Sequence, residues 1–144
     1  MEDTLLNFVE TAINEKTNQL QKLELPRLTD EEVRVLSEKA GLDLSGFRRV
    51  IDNFGVRHAM KKHGNEYRET LRGQVAIQPN DFILIFSMIV EYEEVSTELN
   101  RIGNIILRYK KNYTGFRLIL AEEIRTGRKE IAFQTLYKQK IRRL

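Results

Sequence analysis

Near Glu94 the spacing of the apolar residues changes. Upstream they recur every three or four positions, and downstream every second position. Four downstream segments, "EVSTEL", "NIILRYK", "GFRLILAEEI" and "RKEIAFQTLYK", have strand periodicity, and "NRIG", "KNYTG" and "RTG" separate them. Helices followed by an antiparallel meander predict an α+β fold, with N-terminal helices packed on a roughly four-stranded C-terminal sheet. The chain of 144 residues is long enough for one core and shows no linker or repeat. It is read as a single domain, 1–144, with a helical N-terminal part over 1–40.

The upstream periodicity predicts four helices. Leu5, Phe8, Val9, Ala12 and Ile13 form one stripe within 4–21, and Pro26 breaks the pattern. Thr29 and Glu32 form a capping box, and Gly41 ends that helix. Phe47, Val50, Ile51, Phe54 and His58 share the face of an expected helix over 46–62. Gly55 inside it costs about 1 kcal/mol relative to alanine. Residues 65–78 read as loop, with "GQVAI" compatible with an extended segment. Pro79 opens a mostly buried helix containing "FILIFSMIV", which is half the length of a membrane span.

Register decides what meets in the last hairpin. A two-residue Thr126-Gly127 loop puts Glu122 and Thr135 on one face. A three-residue loop, Arg125-Thr126-Gly127 with Gly127 left-handed, is preferred because glycine suits the third position. It puts Arg117, Ile119, Ala121 and Glu123 on one face with Lys129, Ile131, Phe133 and Thr135.

Charge is polarised. Residues 1–56 carry net −4 and residues 57–100 net −2, whereas 101–144 carry 12 Lys/Arg against 3 Asp/Glu, net +9. An anionic partner for the C-terminal part follows, set against the plain alternative of a solvated basic face. The chain has no cysteine, so disulfides and thiolate chemistry are excluded. The acidic, amphipathic start "MEDTLLNFVE" is no secretory signal. No P-loop, G-x-G-x-x-G or G-x-S-x-G motif occurs.

Both histidines lie in "VRHAMKKHGN". At 100° per residue His63 points about 140° from His58, so the two cannot ligate one metal from one helix face. His58 continues the buried stripe and is expected to face the sheet. His63 closes the helix and is expected at an exposed rim, with Lys61 and Lys62 beside it. The ordinary readings are a packed core histidine and a partner for the helix dipole. The functional reading is acid–base chemistry. Metal-free RNA cleavage needs a base for the 2′-OH, an acid for the leaving 5′ oxygen, and cations for charge building on phosphorus.

Three blocks, "LDLSGFRRVIDNFGVRHAMKKHGN", "RGQVAIQPNDF" and "AEEIRTGRKEIAFQTLYK", occur in the order of a known family. Over residues 41–138 the chain resembles the phage-associated branch of the barnase–EndoU–colicin–RelE-like (BECR) ribonuclease superfamily. Such toxin-type domains end phage head-morphogenesis proteins and polymorphic or contact-dependent growth-inhibition toxins. The resemblance implies a nuclease-like core over 41–144 that cleaves RNA, with tRNA the substrate by family habit, using no metal or cofactor and leaving a 2′,3′-cyclic phosphate. It implies His58, His63, Glu123, Arg125 and Thr135 as catalytic residues, without saying which histidine is acid and which base. Lys61, Lys62, Arg128, Tyr137 and Lys138 are the substrate-binding candidates. An acidic immunity or antitoxin protein is the implied partner. The implied location is a secreted or injected effector in the target-cell cytoplasm, with a plainly cytoplasmic protein as alternative. The sequence departs from the pattern at Phe54-Gly55 and in the apolar 82–90 block. Two rivals fit the same residues: a nucleic-acid-binding module without catalysis, and a phage structural or interaction domain docking through 82–90.

Overall fold

A computed structural model describes residues 1–141, so the last two arginines of the basic C-terminal tail lie outside the described residues. Five α-helices run over Glu2–Glu15 (α1), Asp30–Ala40 (α2), Asn53–His63 (α3), Glu66–Leu71 (α4) and Ile85–Glu91 (α5), the last preceded by a 3-10 turn at Pro79–Leu84. Seven strands cover Lys22–Glu24 (β1), Arg48–Asp52 (β2), Gln74–Val75 (β3), Glu94–Leu99 (β4), Ile105–Tyr113 (β5), Phe116–Arg125 (β6) and Glu130–Lys140 (β7).

The α+β class holds and the meander β4-β5-β6-β7 is present, but the sheet is larger than four strands. Its order is β1-β2-β7-β6-β5-β4, and β3 pairs with β7 off that path. β2 runs parallel to β7, with Val50 opposite Ala132. The three added strands are short or are supplied by distant pairing, so none has an alternating pattern long enough to register in sequence. Residues 66–71, read as loop, form α4 with Asn65 as its side-chain cap.

The largest correction concerns residues 46–62. "RRVID" is a strand, and the helix begins only at Asn53, with Asp52 accepting a 2.6 Å hydrogen bond from the Gly55 N–H. The β-branched Val50 and Ile51 are buried by pairing with β1 and β7. Arg49 is buried too, donating to Glu122 at 2.8 Å on β6 and to Glu32 at 2.8 Å on α2. Although burial works against its charge, Glu122 holds the guanidinium firmly protonated.

The delayed start resets the phase of α3. Asn53, Val56, Ala59 and His63 form its buried stripe, and Phe54 and His58 lie on the exposed side. The two histidines thus exchange the positions expected for them. α3 packs against the edge of β7 that β2 and β3 leave unpaired between them. Gly55 allows the approach: a Cβ there would meet the Phe133 ring and carbonyl oxygen at 3.2 Å.

The final hairpin also differs. Its loop is the four residues 126–129, with Arg125 opposite Glu130 and with Lys129, not Gly127, in the left-handed region at φ 51°. Lys22 and Arg48 anchor Glu130, and the Arg48 N–H donates to the Lys129 carbonyl, which draws the turn one residue further. A bulge between Ala121 and Glu122 then shifts the register again. Glu123 and Thr135 still share a face, now with Ala132 and Tyr137. Ile131 and Phe133 turn to the helix-covered core instead.

That core also takes Phe82, Ile85, Met88 and Ile89. The apolar excess of 82–90 is therefore mostly consumed inside the protein, which removes the basis for a docking helix there. No helix among the described residues is long and apolar enough to cross a membrane.

Candidate active site

A cleft of about 700 Å3 opens between the start of α3, the β6–β7 hairpin and the loop joining β4 to β5. Four of the residues singled out from sequence line it: His58, Glu123, Arg125 and Arg128. Each element supplies one requirement. α3 presents His58 from its exposed side, β6 delivers Glu123 and Arg125 two residues apart on one face, and the tight hairpin carries Arg128 to the rim.

Glu123 is the most constrained of the four. The Arg125 Nε–H donates to its Oε1 at 2.7 Å, and the Asn100 and Asn104 amides donate to its Oε2 at 2.6 and 3.3 Å. Burial opposes its charge, but those three donors outweigh burial and hold the carboxyl below its ordinary range. An ionised carboxylate offers about four acceptor positions, so one is left over. Arg125 Nη1 lies 3.7 Å from Asp52 Oδ2, and its Nη2 has no acceptor among the described residues. The guanidinium is thus oriented from one side with donors to spare.

The remaining predicted residues fall elsewhere. His63 is only 4% exposed: its Nδ1–H donates to Glu69 Oε2 at 3.1 Å, and its ring stacks on Tyr137 at 4.9 Å. Burial lowers its pKa despite the Glu69 hydrogen bond, and the charges of Lys62 and Arg72 push the same way. Tyr137 accepts a 3.1 Å hydrogen bond from Arg108. Lys138 is paired with Asp81 at 3.0 Å and sits over the Phe116 ring, so its charge is already engaged. Lys61 and Lys62 are exposed beyond the cleft. Thr135 shares the Glu123 face but does not line the cleft, and its buried Oγ1 has no hydrogen-bond partner among the described residues.

Sequence reasoning missed Asp52, Asn100, Asn104 and Phe54. Asp52 had a readable signal, since an Asp three residues before a glycine fits an N-cap, but only once the helix start is placed correctly. The asparagines act through loop geometry that no motif marks.

A histidine, a carboxylate held ionised and two arginines around one cleft can move protons and bind an anion. No group of three His, Asp or Glu side chains able to hold a metal ion occurs among the described residues. Together the fold and the cleft define an α+β domain whose site suits an anionic ligand. The family model "phage-Barnase-EndoU-ColicinE5/D-RelE like nuclease3" matches residues 27–144, and the chain belongs to that family. No curated protein and no solved structure matches the chain. A nucleic-acid substrate follows from the family.

Proposed function

We propose that this protein is a metal-independent endoribonuclease that cuts RNA by attack of a 2′-OH on the adjacent phosphate. The observation that carries the reading is the cleft in which His58 accompanies the Glu123–Arg125 pair. Glu123, held ionised, can take a proton but has none to give, so its free acceptor position suits the 2′-OH. His58 is left as the proton donor to the departing 5′ oxygen. Arg125, oriented by Glu123 and Asp52, supplies donors to the phosphoryl oxygens as charge builds, with Arg128 nearby. The products are a 2′,3′-cyclic phosphate and a 5′-OH. Metal independence is inferred from the available donors, which suit proton transfer better than metal ligation.

The toxin reading extends this proposal: delivery into a target cell, tRNA as substrate, and an acidic immunity protein covering the basic C-terminal sheet. The test of the activity itself is incubation with total RNA in EDTA, followed by an oligonucleotide with one 2′-deoxy substitution at the mapped cut. Discrete cleavage in EDTA that the single substitution abolishes is expected. Cleavage that needs Mg2+ or Mn2+, or that tolerates the substitution, overturns the mechanism.

A further inference from the structure

Proton transfer does not account for the apolar rim of the cleft. Phe54, 40% exposed, lies one helical turn before His58. Ile102, 78% exposed, comes from the β4–β5 loop, and Leu20, 47% exposed, from the segment between α1 and β1. All three line the cleft.

The Leu20 segment is held in place by α3. The Asn53 amide donates to the Gln19 carbonyl and accepts from the Gln21 N–H, both at 2.9 Å, and Arg57 donates to the Thr17 carbonyl at 2.8 Å. The Arg57 guanidinium also lies 5.1 Å from the Phe54 ring centroid. The segment precedes the family-matched residues 27–144, so this wall of the cleft is an addition to the family-matched part. Single exposed apolar side chains are ordinary on a protein surface. Three of them, from separate segments, around a cleft that also holds two arginines call for a ligand with an anionic part and a flat apolar part.

We propose that Phe54, flanked by Leu20 and Ile102, is a stacking platform for one unpaired nucleobase beside the phosphate held by Arg125. The inference rests on the nucleic-acid reading of the cleft and adds a substrate class, single-stranded or looped RNA. A base within a duplex is stacked on both faces and has none to offer; an unpaired base has two. Stacking on an aromatic side chain is tolerant of base identity, so the platform selects for strandedness before sequence.

The chain contains no tryptophan, so Phe54→Trp introduces a sole indole reporter. It would be titrated with three uncleavable 2′-O-methyl probes: a short single strand, the corresponding duplex, and an abasic strand with the same phosphates. Saturable quenching by the single strand alone is expected. Phe54→Ala should weaken single-strand binding about 5- to 150-fold, with Phe54→Tyr restoring most of it. Leu20→Ser and Ile102→Ser should show smaller losses, and thermal melts would confirm that each variant folds. Equal quenching by the abasic strand, or unchanged affinity in Phe54→Ala, overturns the platform and points to a protein partner for the rim. Because the probes are not cut, the two proposals fail separately. Base-dependent quenching without cleavage of ordinary RNA would retain the platform and sink the nuclease. Cleavage with affinity unaffected by Phe54→Ala would do the reverse.

Discussion

The middle and the C-terminal end of α3 each carry a histidine, and the surroundings give them different work. His58 is exposed in an open cleft with Glu123, Arg125 and Arg128. His63, five residues on, is enclosed between Tyr137 and Glu69, and burial keeps it neutral over more of the pH range. On the proposed mechanism the same side chain serves proton transfer at the middle of the helix and packing at its end. The difference arises from where the helix starts: strand β2 delays it to Asn53, and the resulting phase turns His63 inward and His58 outward.

The largest effect expected in the open cleft, apart from loss of His58, is from Arg125. Arg125→Ala should lower RNA cleavage about 10²–10³-fold in single-turnover assays, the range for losing a donor that stabilises developing charge. Arg125→Lys should recover only part of it, because an ammonium lacks the planar fork. A loss below tenfold in Arg125→Ala would move the phosphate site elsewhere.

At the closed end the effect should fall on stability. His63→Ala removes the stack on Tyr137 and leaves a fully buried Glu69 with Arg72 as its remaining partner. A destabilisation of about 1–3 kcal/mol is expected in urea unfolding, with cleavage per folded molecule nearly unchanged. A stable but inactive His63→Ala would erase the contrast between the two histidines.

The pH dependence of stability sharpens it further. The pKa of His63 is lower folded than its unfolded reference of 6.5, so the unfolded chain binds protons more readily as pH falls below that value. This contribution is present above 6.5 and is lost on acidification toward the folded pKa. Urea midpoints measured through that window should therefore fall less steeply in His63→Gln than in the parent. Glu123 acts in the same direction lower on the scale, its contribution being lost as pH falls below 4.5.

The smallest effect concerns salt. Arg128→Ala should reduce the slope of log affinity against log salt by about 1 for any RNA. Lys138→Ala should leave the slope alone, since Lys138 is paired with Asp81. The reverse result would place the RNA path across the middle of the sheet.

Much of this architecture is legible in the sequence where interactions are local. The period-two segments become β4 to β7, and the Thr29–Glu32 capping box forms as expected, with donor–acceptor distances of 3.1 Å in both directions. β2 is not legible, because Phe47, Val50, Ile51, Phe54 and His58 fit a helical stripe as well as any real one. What makes Arg48–Asp52 a strand is parallel pairing with residues about eighty positions away. The hairpin register follows from Lys22 and Arg48 anchoring Glu130, again at long range. At the site, Glu123, Arg125 and His58 stand out by chemical type. Asn100, Asn104 and Phe54 are ordinary residues until the β4–β5 loop and the start of α3 are brought together.

The division of labour along α3 is tested most directly by His58→Gln and His63→Gln assayed together in EDTA, each for single-turnover RNA cleavage and for urea stability. His58→Gln should lose about 10²–10⁴-fold in rate, the range for a proton-transfer group, with its unfolding midpoint and RNA affinity almost unchanged. His63→Gln should keep its rate and lose stability. Full activity in His58→Gln, or a rate loss confined to His63→Gln, would contradict the account.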